Sequence, residues 1–288
     1  MSKRAFSVIS PTELTSSVVF ASPHSGSYYE PSFVQGTILN QQQIRSSEDA
    51  FVDQLFADVP GFGAPLLLAT QPRAYIDLNR APGELDPALI EGVPRRGQNP
   101  RVASGLGVIP RVVANGRAIY HGKMPRQEAL QRIDQIWYPY HAALQGLLRQ
   151  AHDRFGQAVL IDCHSMPHEA VANLPTHRAA LPEVVLGDRF GSSAATEVMD
   201  LVEAAFVQAG LRVARNAPFA GAYITQAYGR PSRRQHAVQV EIDRSLYMDE
   251  AQVRPNARFA EVKALLGQVA GQIVKIGIDQ DRRRLAAE

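Results

Sequence analysis

A single cysteine, Cys163, excludes an internal disulfide in this 288-residue chain and fits a reducing compartment. No apolar run approaches the length of a membrane span. The first residues, Met1-Ser2-Lys3-Arg4-Ala5-Phe6, lack the long apolar region of a secretory signal. A soluble, cytoplasmic protein with no membrane partner is therefore expected. Charge of one sign is also lacking: 30 Lys and Arg against 28 Asp and Glu leave a net +2, too little to imply a nucleic-acid partner. The one basic cluster, Arg282-Arg283-Arg284, reads as a solvated end. No repeat, low-complexity tract or linker divides the chain, so residues 1–288 are expected to form one domain. An apolar fraction of 45% is enough for the core of a large α/β unit.

Strand-like and helix-like segments alternate, the pattern of a mixed, largely parallel sheet flanked by helices. Ser17–Ala21, Ala64–Ala69, Ala74–Leu78, Ala158–Ile161, Leu211–Ala214 and His236–Val240 read as strands. The stretch from Glu48 to Phe56 reads as a helix with acids in its first turn, where the helix dipole favours them. Ala81 to Arg111 is rich in Pro, Gly and Arg without a period and reads as a long surface loop. Asn115-Gly116 between apolar pairs predicts a hairpin over Val112–Tyr120. The clearest helix lies between Pro125 and Arg154. Leu130, Ile133, Ile136, Trp137, Tyr140, Leu144, Leu147 and Leu148 form its stripe, and Pro139 should kink or split it. Further helices are predicted over about Ser193–Ala209 and Pro255–Ile276.

Chemistry gathers at strand ends. Ser17–Ala21 runs into Ser22-Pro23-His24-Ser25-Gly26, Ala158–Ile161 into Asp162-Cys163-His164-Ser165, and His236–Val240 into Glu241. Open α/β sheets present catalytic groups at such ends. Two histidines and a glutamate so placed are the ingredients of a metal hydrolase. A catalytic zinc takes three protein ligands and keeps a position for water, and a separate carboxylate moves the protons. His24 and His164 fit as ligands. For the acidic ligand, Glu30 is followed by Pro31, and Glu48 and Asp49 are better placed; capping of the helix that they open is their bland reading. Asp162 either orients His164 or, facing the opposite side of its strand, is structural. Glu241 is otherwise a strand residue paired with Arg244. Cys163 as a nucleophile is disfavoured, because neighbours in a strand point apart.

These stretches, with Tyr75-Ile76-Asp77-Leu78-Asn79-Arg80, Gly221-Ala222-Tyr223-Ile224-Thr225 and the run from His236 through Glu241 and Arg244 to Glu250, resemble motifs of the N-formylglutamate amidohydrolase family. They occur in order from about residue 20 to residue 250. The resemblance implies a phosphorylase/hydrolase-like fold, related to zinc carboxypeptidases and aspartoacylases, with one zinc per chain. It implies His164 as the last zinc ligand, Glu241 as the general base, and Asn79 with Arg80 as the grip on a substrate carboxylate. It also implies Asp49 as the acidic ligand, with Glu48 a close second. A glutamate three residues after the first histidine, as in carboxypeptidases, is missing: Ser27 stands there. Arg73 and Arg244 are possible supports, and Tyr223 and Thr225 could line the pocket. Leu186-Gly187-Asp188-Arg189-Phe190-Gly191 also resembles a family segment and suggests a tight turn near the site.

The function implied is zinc-dependent hydrolysis of N-formyl-L-glutamate to formate and L-glutamate. The family name points to histidine degradation. One alternative keeps the metal and changes the small-molecule substrate to another N-acyl amino acid or a short peptide. A second, from another class, is a non-catalytic protein that binds an acidic metabolite.

Overall fold

A computed structural model describes residues 4–95, 99–172 and 181–285, with backbone alone beyond residue 278. Its frame is a mixed sheet of seven strands: β1 (Phe6–Ile9), β2 (Val18–Ser22), β3 (Leu66–Ala69), β4 (Ala158–Met166), β5 (Val184–Gly187), β6 (Val213–Arg215) and β7 (Gln235–Asp243). They lie in the order β1-β3-β2-β4-β7-β5-β6. β3, β2, β4 and β7 run parallel, while β1 and β5 are antiparallel to their inner neighbours. The fold class is thus the expected one. The edge strand β1 and strand β5 carry no period clear enough to be found in the sequence.

Helices cover both faces: α1 (Arg126–Arg132) and α2 (Tyr138–Phe155) on one, α3 (Thr196–Gln208) and α5 (Phe259–Leu285) on the other, with α4 (Tyr223–Tyr228) beside the site. Strand residues alternate between these layers. In β4, Val159, Ile161 and Cys163 pack towards α3 and α5, whereas Ala158 and Leu160 pack towards α1 and α2. In β7, Val238, Val240 and Ile242 take the first face and Ala237 the second. The same alternation puts Asp162 and His164, and likewise Gln239 and Glu241, on the α1–α2 side. Asp162 therefore shares a face with His164, and it is Cys163 that points away. The reading of Asp162 as facing the opposite side is corrected by this period of two.

Several local expectations are also revised. Ala74–Leu78 is a turn-rich segment, not a strand. Tyr75 N–H and Ile76 N–H bond locally to Pro72 O, and Asp77 N–H donates to Val108 O in the long loop. Glu48 and Asp49 precede a single helical turn, Val52–Leu55, instead of opening a longer helix, because Phe51 sits in the left-handed region with φ 67°. The Asn115-Gly116 turn forms, but only one antiparallel bridge, Val112 to Ala118, closes it. Among its described residues the long loop contains one short helix, Pro100–Ala103.

The helix through Pro139 is not split. A π-helical turn, Ile133–Trp137, joins α1 to α2, and Tyr138 N–H donates to Ile133 O. Pro139 has no N–H and would clash with a regular preceding turn. The wider turn absorbs the break. Leu130 leaves the stripe and is exposed. The Arg282–Arg284 cluster lies on the backbone of α5, and its side chains fall outside the described residues.

Candidate active site

A cavity of about 800 Å³ opens over the carboxyl ends of β2, β4 and β7. His24, Asp49, His164 and Glu241 all line it. His164 lies within β4 and Glu241 within β7, directly paired in the parallel register. His24 comes two residues after β2. Its segment is seated by a close approach at Gly26, where a Cβ would stand 2.1 Å from Gln71 O. Asp49 arrives on the irregular segment before Val52–Leu55, where its N–H donates to His24 O at 3.1 Å.

The two histidines and Asp49 converge. One ligand atom from each lies within 4.8 Å of the others. Asp49 Oδ2 is 2.9 Å from His164 Nδ1 and 3.5 Å from His24 Nδ1. His24 Nδ1 is buried and has no hydrogen-bond partner. That orphaned nitrogen, a carboxylate and a second imidazole form the donor set of a borderline-soft divalent cation. The three residues can hold a metal ion. Glu48 points elsewhere: its carboxylate takes Tyr29 Oη and the Arg45 guanidinium. The extended backbone at Glu48 sends consecutive side chains to opposite sides, so Glu48 is not part of the converging group.

Each imidazole is backed by a second carboxylate. Asp77 Oδ1 accepts from His24 Nε2 at 2.7 Å, and Asp162 Oδ2 lies 3.1 Å from His164 Nε2. The Asp77 hydrogen bond sets the His24 tautomer and leaves Nδ1 free to bind a cation, while Asp162 stands against His164 as a buried charge without a hydrogen bond. Burial alone would push the Asp77 carboxyl up, but the Arg73 guanidinium and His24 beside it hold it well below the usual range. Burial likewise opposes the charged forms of Asp49 and His164, yet their pairing wins. His164 is held well above its ordinary value by Asp162 and Asp49, and Asp49 well below its own by His164 and His24. Asp77 lies in one of the family-like motifs, but an acid two residues before Asn79 carries no sequence signal of its fold-distant histidine. Asp77→Ala is expected to weaken metal binding by about 10–100-fold, the usual cost of losing such a partner. Competition with a chromophoric chelator measures it.

Glu241 is 9% exposed and accepts from Gln239 Nε2 at 2.8 Å. Burial pushes its carboxyl up to about 7; His164 pulls it down and Asp49 pushes it further up. A neutral carboxyl cannot accept a proton, so this capacity is lost as pH falls through that value. In metal-free protein the carboxyl is expected to titrate near about 7, and a bound cation to lower the midpoint. Difference infrared spectra of wild type against Glu241→Gln would read it. A midpoint below about 5 would contradict the dominance of burial.

Arg244, suggested as a partner of Glu241 and a contact of substrate, instead grips Asp49 Oδ1 at 2.9 Å and Ser165 Oγ at 3.1 Å. It lines the cavity, but its fork is occupied in orienting Asp49. Arg73 is bound through Nε to Asp77 Oδ2 at 2.9 Å. Arg80 is buried, with Nε donating to Leu106 O and Nη1 to Asn79 O; among the described residues Nη2 has no hydrogen bond. Asn79 Nδ2 approaches His164 Nε2 at 3.2 Å, and its Oδ1 accepts from Ile224 N–H at 2.7 Å. Tyr223 and Thr225 do not line the cavity. Tyr223 packs on Trp137 and His141, and Thr225 Oγ1 closes the first turn of α4 on Ala222 O. The turn at Arg189–Gly191 is tight, with three successive positive φ values. Its Gly187 abuts the backbone of Ala220 and Gly221, which do line the cavity.

With this geometry in place, the comparisons with known proteins are specific. A family model for N-formylglutamate amidohydrolase matches residues 16–248. The chain belongs to that family. It is therefore an amidohydrolase. An N-formylglutamate amidohydrolase from Ralstonia eutropha JMP134 superposes with a TM-score of 0.88 at 35% identity, covering 96% of this chain and 99% of that one. An N-formylglutamate deformylase of Pseudomonas aeruginosa is 29% identical over 236 residues, 81% of this chain and 82% of the relative. That of Pseudomonas putida is 28% identical over 242 residues, 82% and 83% of the two chains. A more distant Agrobacterium tumefaciens structure, 16% identical with a TM-score of 0.66 and covering 95% and 94%, shares the fold.

Proposed function

We propose that this chain hydrolyses N-formyl-L-glutamate to formate and L-glutamate, with one zinc ion held by His24, Asp49 and His164. The observation that carries the reading is the convergence of those three ligand atoms beside a buried carboxylate, Glu241, in a cavity lined by arginines. When bound, the zinc would supply Lewis acidity, polarising the formyl carbonyl and acidifying water. Glu241 accepts a proton from the attacking water and delivers it to the departing nitrogen. The water oxygen bonds to the formyl carbon as the C–N bond breaks, so the products are formate and the free amine. Asp77 and Asp162 orient the two imidazoles, and Arg244 orients Asp49. Relatives named for N-formylglutamate support the substrate.

The substrate has two carboxylates, and the cavity has two arginines suited to them. Arg80 takes one through its remaining nitrogen. Arg101, on Pro100–Ala103, lines the cavity without an ion pair among the described residues and takes the other. Arg101→Ala is expected to narrow the preference for N-formylglutamate over N-formylglutamine. Assays of N-formylglutamate, N-formylglutamine, N-acetylglutamate and a dipeptide, with metal content determined in parallel, test the whole reading. Activity in a protein free of metal and insensitive to chelators would overturn it.

The full chain is proposed to act as one amidohydrolase domain, since β2, β4, β7 and the segments between them supply one site. Limited proteolysis of the whole protein checks this: release of a stable, separately folded fragment would refute it. Among the described residues no helix is long and apolar enough to cross a membrane. A cytoplasmic location is supported by the free, buried Cys163 and would be refuted by recovery of the activity in an extracellular fraction.

A further inference from the structure

We infer that Trp137 and His141 are positioning residues of this site, and that the π-helical turn exists to aim them. The inference rests on the reading of Arg80 as a carboxylate grip. Trp137 Nε1 donates to Arg80 O at 2.9 Å, and His141 Nε2 donates to Leu78 O at 2.9 Å. The two carbonyls flank Asn79. Leu78 to Arg80 belongs to no strand, so no sheet partner fixes it. Its two outer carbonyls are held by these side chains, while Asn79 between them is held by Asp77 Oδ1 and Ile224 N–H.

The clamp is rigid. The Trp137 and His141 rings stack at 3.8 Å between centroids, both are 5% exposed, and the Tyr228 ring lies parallel to His141 at 5.8 Å. Tyr228 Oη donates to His141 Nδ1 at 2.8 Å. Burial pushes His141 down to about 4, so it is neutral, with Nε2 as its donor. Residues four apart share a helix face, and the inserted π turn sets which face that is. What the clamp holds is functional on both sides. Asn79 reaches His164, and Arg80 Nη1 is pinned to Asn79 O. The buried indole N–H thus ties backbone position at Arg80 to the packing of this stack.

Trp137 is the only tryptophan. Its emission therefore reports on the carbonyl of the residue that would bind the anion. Glutarate, a dicarboxylate with no amide to cleave, is the probe. Titration of wild-type protein is expected to give a saturable change in emission that Arg80→Ala abolishes. No change with wild type, or the same change with Arg80→Ala, overturns the inference. Trp137→Phe keeps an aromatic ring and removes the N–H. It is expected to raise KM for N-formylglutamate by about tenfold, as befits one lost hydrogen bond to a buried carbonyl, with a smaller change in kcat. N-formylpropylamine, which lacks carboxylates, should show no such rise. An equal loss for both substrates means mere packing and overturns the inference. If no preparation cleaves N-formylglutamate, the functional reading fails, while the glutarate titration still decides the role of Trp137.

Discussion

Glu241→Gln is expected to lower kcat by about 10²- to 10⁴-fold, the range that a positioned acid–base group contributes. Metal content should remain at the wild-type level. The substitution is close to isosteric and removes only the capacity to take a proton. His24, Asp49 and His164 keep their own partners, since Glu241 hydrogen-bonds to Gln239 and to none of them. Steady-state kinetics with N-formylglutamate and elemental analysis of the same preparation measure both halves. A kcat within about tenfold of wild type would place the base elsewhere. Loss of metal together with activity would make Glu241 a ligand. A protein that merely binds an acidic metabolite would keep its ligand affinity in this variant and show no turnover in the wild type.

His164→Ala should have the larger structural effect. It removes one of the three converging ligand atoms, so bound metal should become substoichiometric and turnover fall below detection. It also removes the cation between two buried carboxylates, Asp49 on Nδ1 and Asp162 on Nε2. Both Asp162 oxygens are without a hydrogen bond, and the residue is fully buried. Breaking a buried ion pair by deleting one partner costs about 3–5 kcal/mol. Denaturant unfolding of metal-free wild type and variant measures it. The pH dependence has a definite sign. The His164 imidazole is raised in the fold, so its stabilisation is complete below the ordinary imidazole value and fades as pH rises through the higher folded value. Metal-free wild type should therefore lose stability over that window, and the variant should not. Equal pH profiles would show that His164 is neutral in the metal-free fold.

Much of the site was legible because strand alternation is a local property. The period of two places residues 158, 160, 162 and 164 on one face, so the expectation that Asp162 faces away from His164 fails on the count alone, and the same count pairs Gln239 with Glu241 in β7. Helical segments with unbroken stripes, such as α3, were found within a few residues. Ala74–Leu78 has the buried apolar residues of a strand, but Tyr75 and Ile76 N–H turn back to Pro72 and Asp77 N–H reaches Val108, so no strand ladder forms. Arg244 shows a different limit: an arginine three residues after a glutamate in a strand suggests a pair, but the chain turns at Asp243 and carries the guanidinium to Asp49.

What the sequence alone carried is the residue set: two histidines and a glutamate at the ends of buried strands, with an acid on the segment between, in an order that resembles one family. These follow from residue type and from periods of two and 3.6, which need no knowledge of distant contacts. The resemblance favours Asp49 over Glu48, and the tertiary structure shows the physical difference between them. Glu48 and Asp49 are adjacent and chemically alike, and only the register of an irregular segment turns one to His24 and His164 and the other to Tyr29 and Arg45. Tertiary structure alone decided that Asp77 backs His24 across 53 positions. The π turn that aims Trp137 and His141 is of the same kind. Contacts between residues far apart in the chain depend on how layers pack, and packing leaves no local periodicity to read.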